Sequence, residues 1–220
     1  MGPPARERDA GGVHVNDLVR CESFSCLDVE HDRYTVPGAV ANPDTVTIVM
    51  VAEAPPPDPR DWFDAGPEAL YARTTIEAFS DAGEDVSSLQ DVLDLGVYLT
   101  TAIKCGKTAT GLSTMTIRAC SVLLEAELGL FPLARALMLM GDTAIKAVNA
   151  IAHRTGEPRV VPSGSTYKLR GGDYRFRGMK VFPSYVQAGP AFLIEKSKRR
   201  MIAEDIGAAL AYVRSLELVL

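Results

Sequence analysis

Short apolar runs alternate along the chain with longer stretches in which apolar residues recur every three or four positions. The apolar runs predict buried strands at 46–52, 96–105, 135–141 and 179–186. The periodic stretches predict helices at about 66–83, 113–129, 142–156 and 191–216. Residues 159–178 are rich in Gly, Arg and Tyr and predict a loop or hairpin. This order predicts an α/β fold, a three-layer α/β/α sandwich with a central four-stranded parallel sheet.

The chain of 220 residues has the size of one α/β domain with a full core. Residues 1–12 combine Gly, Pro and charge without an apolar period, so we expect them to be disordered. Neither an internal repeat nor a linker interrupts the pattern after them. We therefore predict a single domain over 13–220.

Composition describes a globular chain, with 47% hydrophobic and 23% charged residues. No apolar run approaches the roughly 18 residues that a membrane span needs, and the first residues lack the apolar core of a signal peptide. These features predict a cytoplasmic protein without a membrane partner. The net charge of −5 argues against a simple nucleic-acid coat protein. A local basic segment such as 196–200 is enough for a DNA enzyme, although it also reads as a solvated helix surface.

Unusual residues follow three of the predicted strands. Glu53 and several prolines come after the first strand, 101–105 end the second, and 182–185 end the last. Ligands of open α/β sheets bind beyond the carboxyl ends of the strands. We expect these three loops to converge on one site.

The chain has four cysteines, Cys21, Cys26, Cys105 and Cys120. Disulfides are rare in the cytosol, whereas four thiolates can hold a [4Fe–4S] cluster or a tetrahedral zinc ion. Short CxxC pairs, the usual sign of a zinc ribbon, are absent from the sequence. Spacing alone therefore leaves a metal site and four independent buried cysteines equally open.

Several motifs occur in a defined order. They are Ala52-Glu53-Ala54-Pro55-Pro56, the strand end from Tyr98 to Lys104-Cys105, Cys120 at helix distance, Met140-Gly141-Asp142-Thr143-Ala144, Leu169-Arg170-Gly171 and Phe182-Pro183-Ser184. In this order they resemble the iron–sulfur uracil-DNA glycosylases, often called family four, over about residues 21–213. The resemblance rests on the order of the motifs and on the agreement of all four cysteines, since no single motif is specific.

The resemblance implies a uracil-DNA glycosylase-like fold and a [4Fe–4S] cluster on the four cysteines, and it favours the cluster over zinc or free thiols. It also implies a DNA-repair glycosylase that hydrolyses the N-glycosidic bond of uracil or of another deaminated or damaged base flipped out of DNA. We expect a monomer. We also expect a monofunctional enzyme, because no lysine is clearly placed as a Schiff-base nucleophile.

Two positions depart from the family pattern. Thr101 stands where the family has the Asn that reads the uracil edge, and Phe182 stands where it has a His that donates towards the base. Losing one such donor typically costs roughly 100- to 1000-fold in rate. The sequence therefore also allows a catalytically weak or inactive nucleic-acid-binding iron–sulfur protein. A third possibility is a zinc-stabilised α/β protein for small nucleotides, since four thiolates can also hold zinc.

Most candidate site residues lie in or next to the matched motifs, while Phe63 and Lys198 lie outside them. The predicted catalytic residues are Glu53 and Thr101, where Glu53 polarises a water or stabilises the sugar cation, or else caps backbone amides. The predicted substrate-binding residues are Ala54, Phe63, Thr101, Phe182 and Ser184. The predicted DNA contacts are Lys104, Arg170, Tyr185 and Lys198, with Tyr185 as a wedge into the duplex. For Phe63 the alternative is an anchor of the Pro-rich loop, and for the DNA contacts it is ordinary surface packing and charge.

Overall fold

A computed structural model describes residues 12–38, 40–108 and 111–218. The strands are β1 Val13–His14, β2 Val29–Glu30, β3 Val40–Ala41, β4 Ile48–Ala52, β5 Val97–Thr101, β6 Gly106–Lys107, β7 Ala136–Met140, β8 Tyr174–Phe176 and β9 Met179–Ser184. The helices are α1 Val15–Leu18, α2 Leu70–Asp81, α3 Leu89–Asp94, α4 Thr114–Leu128, α5 Asp142–Arg154, α6 Thr166–Leu169, α7 Pro190–Ile194 and α8 Lys196–Glu217. The stretch predicted to be disordered, 1–12, lies outside the described residues except for Gly12.

The central sheet has five strands in the order β5-β4-β7-β9-β8. Its first four strands are parallel, which confirms the predicted α/β class and the four parallel strands. The fifth strand, β8, joins antiparallel to β9 within the segment predicted as a loop or hairpin. Arg177 and Gly178 link the two strands and both have positive φ, as the favoured two-residue hairpin turns require.

Alternate residues of the parallel strands face two separate cores. Val49, Val51 and Leu139 point into one core, which α4 and α5 complete with residues such as Leu124 and Val148. Neighbouring strand positions point into the other core, which α2 and α8 complete; among them are Met50, Met138, Phe79 and Ile206. Strands buried on both faces read as continuous apolar runs, which is why the sequence located them well.

The helices begin and end where local sequence chemistry favours it. The hydroxyl of Ser113 accepts a hydrogen bond from the Thr116 backbone N–H and caps α4. Ser88 and Asp91 form a reciprocal capping box at the start of α3. Within the described residues, none of the helices is both long and apolar enough to cross a membrane.

The N-terminal segment is fastened to the carboxyl end of β5. Strand β2 pairs with β6, which directly follows Cys105. The Thr35 N–H donates to the Lys104 carbonyl over 2.7 Å, and the Asp28 carboxylate accepts from the Ser113 N–H over 2.5 Å. These bonds bring the segment that carries Cys21 and Cys26 against β6 and α4.

Candidate functional site

A cavity of about 230 Å³ opens at the carboxyl ends of the parallel strands. Its walls come from the loops after β4, β7 and β9 and from the start of α4, and the residues are Glu53, Gly111, Leu112, Ile117, Gly141, Asp142, Thr143, Lys146 and Val186. Of the three loops predicted to converge, those after β4 and β9 reach this cavity through Glu53 and Val186, whereas residues 101–105 after β5 do not line it. The start of α5, after β7, completes the wall, and that strand end was not among the predicted ones. We call this space the Glu53 cavity.

The Glu53 carboxylate is held from two sides. The Thr143 hydroxyl, in the first turn of α5, donates to Oε1 over 2.9 Å. The Lys107 ammonium, in β6, donates to Oε2 over 2.8 Å. The Glu53 side chain remains 30% exposed. Glu53 is therefore oriented by two donors and still accessible from the cavity. Among the described residues, the donors to its carboxylate are these two side chains, and not the backbone amides that it was alternatively expected to cap.

Gly141 allows the loop after β9 to approach the start of α5. Its φ is +98°, and a Cβ placed there would lie 2.6 Å from Cγ2 of Val186. A side chain would suffer both backbone strain and a clash. Glycine at this position therefore brings Val186 to the wall of the Glu53 cavity.

Thr101 lies beside Glu53 in the sheet but faces inward. It pairs with Ala52, the residue before Glu53, and it is fully buried. Its hydroxyl donates to the Ile103 carbonyl over 2.7 Å. In this arrangement the Thr101 hydroxyl stabilises the end of β5, and the residue does not line the Glu53 cavity.

The structure corrects the position assigned to the end of β9. Phe182 lies within β9 opposite Met138, and its ring packs against Tyr212 of α8 with centroids 6.0 Å apart. Ser184 is fully buried and donates to Asp205 over 2.6 Å. The residue of this segment that reaches the Glu53 cavity is Val186, because β9, which was predicted to run to 186, ends at Ser184 and Val186 lies in the loop that follows.

Ala54 and Phe63 belong to the packing of the Pro-rich loop. Ala54 is buried, and its carbonyl accepts a hydrogen bond from the Tyr71 hydroxyl over 3.3 Å. Phe63 is also buried and contacts the rings of Trp62 and Tyr71 at centroid distances of 4.9 and 5.6 Å. This arrangement matches the alternative reading of Phe63 as an anchor of that loop.

The four cysteines line a second, largely apolar cavity of about 440 Å³. Cys105 and Cys120 are buried, and Cys21 and Cys26 are partly exposed at its mouth. Two backbone amides point at sulfur atoms, since the N–H of Phe24 lies 3.4 Å from Sγ of Cys21 and the N–H of Lys104 lies 3.3 Å from Sγ of Cys120. N–H···S contacts of this kind stabilise sulfur ligands of metal clusters.

The chemistry of this cavity fits an iron–sulfur group. Burial raises the pKa of Cys105 to about 12 and that of Cys120 to about 11, so bare thiolates are disfavoured unless a cation compensates them. Within the described residues, no three His, Cys, Asp or Glu side chains are grouped as ligands of a single ion. All four cysteines line this one cavity and supply the four thiolates that a [4Fe–4S] cluster or a tetrahedral zinc ion would take.

A buried polar cluster beside the cysteines was missed by the sequence reasoning. Lys104 and Glu127 form an ion pair whose side chains are both fully buried. The hydroxyls of Tyr98 and Thr100 donate to the same carboxylate over 2.7 and 2.8 Å. The signal was present, because Glu127 continues the apolar face of α4 that carries Cys120 and Leu124. The predicted contact of Lys104 with DNA is corrected, since its ammonium lies in the interior.

The other predicted DNA contacts divide into two groups. Arg170 is mostly buried and donates to Asp205, to Glu204 and to the Met201 carbonyl, so it joins the end of α6 to α8. Tyr185 and Lys198 lie together near the surface, with the ammonium 5.3 Å from the ring centroid. Lys198 also pairs with Glu195 over 2.6 Å. Lys198 is more exposed than Arg170, and the contacts of Tyr185 and Lys198 with DNA stay predictions.

Comparison with known proteins gives one informative match. No protein-family model matches the chain. A protein of Thermus thermophilus named type-5 uracil-DNA glycosylase is 31% identical over 126 residues, and the matched segment covers 57% of each chain. The chain therefore spans less than two thirds of that relative's length. Together with the ordered motifs and the observed α/β sandwich, this match confirms the resemblance of the chain to the uracil-DNA glycosylase superfamily.

Proposed function

We propose that the protein is a DNA glycosylase that removes uracil or another deaminated or damaged base from DNA. The observation that carries the proposal is the Glu53 cavity, an accessible and doubly oriented carboxylate at the carboxyl ends of the parallel strands. The name of the Thermus relative supports the same reaction class. A cavity of about 230 Å³ is smaller than the roughly 300–1,000 Å³ of drug-sized ligand sites and suits a single planar base.

In this proposal Glu53 is the group that acts on the sugar side of the scissile bond. Cleavage develops positive charge on the deoxyribose, and a carboxylate stabilises that charge or orients the water that attacks it. Lys107 and Thr143 are positioning residues, since each donates to one oxygen of Glu53. Val186 supplies only apolar contact to a base in the cavity.

We further propose that Cys21, Cys26, Cys105 and Cys120 hold a [4Fe–4S] cluster. When bound, such a cluster would cross-link the N-terminal segment to β6 and α4. Iron, acid-labile sulfide and zinc per chain are the measurements that test this assignment. About four irons and four sulfides per chain are expected, with loss of both in Cys105→Ser. One zinc per chain without sulfide would contradict it and support the zinc alternative.

The activity is tested with oligonucleotides that carry uracil, hypoxanthine or xanthine, in single-stranded and duplex form. Excision leaves an abasic site, which alkali converts into a strand break. We expect breaks at one or more lesions with the natural sequence and a strong reduction with Glu53→Gln purified in the same way. The absence of breaks with every lesion contradicts the proposal, and equal breakage by Glu53→Gln indicates a contaminant.

A second candidate is an iron–sulfur protein that binds nucleic acid with little or no catalysis. It is favoured by Thr101, whose hydroxyl is used within the fold, and by Val186, which brings no polar atom to the cavity. Salt-dependent DNA binding without base release supports this candidate. Uracil excision gained by Val186→His, which adds a donor to the Glu53 cavity, would instead identify an altered glycosylase.

A further inference from the structure

A groove between α4 and α5 adjoins the Glu53 cavity. It has a volume of about 300 Å³, and it shares the side chains of Ile117 and Lys146 with that cavity. Arg159, which follows the C-terminal end of α5, lines the far end of the groove. A ligand that occupies the Glu53 cavity can therefore extend directly into this groove.

The groove is basic although the protein as a whole is acidic. Arg118 of α4, Lys146 and His153 of α5, and Arg159 line it, and all four side chains are exposed. Within the described residues, neither Arg118 nor Arg159 takes part in an ion pair. The net charge of the chain is −5, so the positive charge of the groove is opposite in sign to the net charge of the protein.

The two carboxylates near the groove are already paired. Glu157 accepts from Arg177 over 2.9 Å and from the Thr155 hydroxyl over 2.8 Å. Asp142 pairs with Lys146 over 2.5 Å, at the boundary between the groove and the Glu53 cavity. The arginines are therefore the groove's uncompensated charges.

The arginine at the far end is held in place by the fold. The Asn149 side chain accepts hydrogen bonds from the N–H groups of Val160 and Val161 and donates to the Val161 carbonyl over 2.9 Å. The Arg159 Nε also donates to the Val161 carbonyl over 3.0 Å, which leaves the terminal guanidinium nitrogens available. A guanidinium with free terminal nitrogens is suited to bidentate contact with a phosphate.

We propose that this groove binds the phosphodiester backbone of the DNA strand that flanks the flipped nucleotide, with Arg118 and Arg159 as its phosphate contacts. The proposal rests on the proposed glycosylase function only in taking the Glu53 cavity as the place of the base. The groove and that cavity share a wall, so the phosphates next to an extruded nucleotide lie within reach of the groove's cations.

The test measures DNA binding as a function of salt by fluorescence anisotropy. The variants are Arg118→Ala, Arg159→Gln and their combination, and the matched control is Arg135→Ala, an exposed arginine next to the opposite, amino-terminal end of β7. Each lost phosphate contact should lower the slope of log K against log salt by about 0.9 for duplex DNA, and the double variant by about 1.8. Arg135→Ala should keep the slope of the natural sequence.

The possible results separate this proposal from the function. If the double variant folds, as verified by thermal melting, and keeps the affinity and slope of the natural sequence, the proposed phosphate contacts of the groove are contradicted even if base excision is observed. If the natural sequence excises no base but the groove variants still have a reduced slope, the proposed DNA binding in the groove is supported and the proposed glycosylase activity is contradicted. If Arg135→Ala lowers the slope as much as the groove variants, the effect is one of net charge and the proposal fails. Arg118→Ala alone keeps the test valid if Arg159→Gln disturbs its segment, because Arg118 is exposed on a helix.

Discussion

Two lysine–glutamate pairs lie on either side of Cys105 and have opposite environments. The Lys104–Glu127 pair is fully buried and is surrounded by the hydroxyls of Tyr98 and Thr100. The Lys107–Glu53 pair is 22% and 30% exposed and borders a cavity. The lysines are three residues apart, yet the first pair supports the interior while the second presents a carboxylate to a ligand. Burial, rather than residue type, distinguishes the structural pair from the candidate catalytic pair.

The largest expected effect is on activity, from Glu53→Gln. Loss of a general acid–base group typically costs roughly 100- to 10,000-fold in rate. We expect such a loss in single-turnover excision, with the free energy of unfolding changed by less than about 0.5 kcal/mol because Glu53 is partly exposed. Glu68→Gln, on an exposed residue, should keep full activity. A Glu53→Gln variant that excises at the natural rate would remove the distinction between the two pairs.

The second effect is on stability, from Glu127→Ala. This variant leaves the Lys104 ammonium buried without its partner, which typically costs about 3–5 kcal/mol. Urea denaturation measures the loss. The control is Glu125→Ala on the same helix, where the partly exposed pairs with Arg154 and Arg177 should cost about 1 kcal/mol or less. Equal losses in the two variants would mean that burial does not set the energy of the Lys104 pair.

Gly141→Ala tests how the Glu53 cavity is closed. Alanine at a φ of +98° costs about 1–3 kcal/mol, and its Cβ would displace Val186. We expect a lower melting temperature together with slower excision, because Val186 forms part of the cavity wall. Gly207→Ala in α8 is the control, since a Cβ there meets no atom within 4 Å and the helix should become slightly more stable. A Gly141→Ala variant as stable as the natural protein would show that the close approach to Val186 is relaxed at no cost.

A small effect on both stability and activity is expected from Lys107→Met. A pair as exposed as Lys107–Glu53 contributes about 0.2–1 kcal/mol. Excision should slow by less than in Glu53→Gln, because Thr143 still holds the carboxylate. Lys104→Met is the matched comparison, and it should destabilise by about 3–5 kcal/mol since it leaves Glu127 buried and unpaired. Similar urea midpoints for the two methionine variants would contradict the comparison.

The sequence predicted the layers of the fold better than its site. The runs that form β4, β5 and β7 are apolar on both faces, so their positions were visible without a structure. The hairpin that forms β8 was not distinguished from a loop, because its signal lies in a two-residue turn at Arg177 and Gly178. Glu53 was found from its place after a strand. Lys104 was assigned to DNA although its side chain is fully buried, and Phe182 was assigned to the substrate although it does not line the Glu53 cavity.

The fold was easier to predict than the site because the sequence gives the order of residues along the chain but not the direction in which each side chain points. The sequence by itself determined the α/β alternation, the grouping of strand-end loops and the interest of Glu53, because periodicity and chain order decide these. Only the tertiary structure decided that Lys104 points inward to Glu127 while Lys107 points to Glu53, and that Val186 rather than Phe182 faces the cavity. Successive side chains of an extended segment point in opposite directions, so an offset of a single residue moves a group from a site into the core.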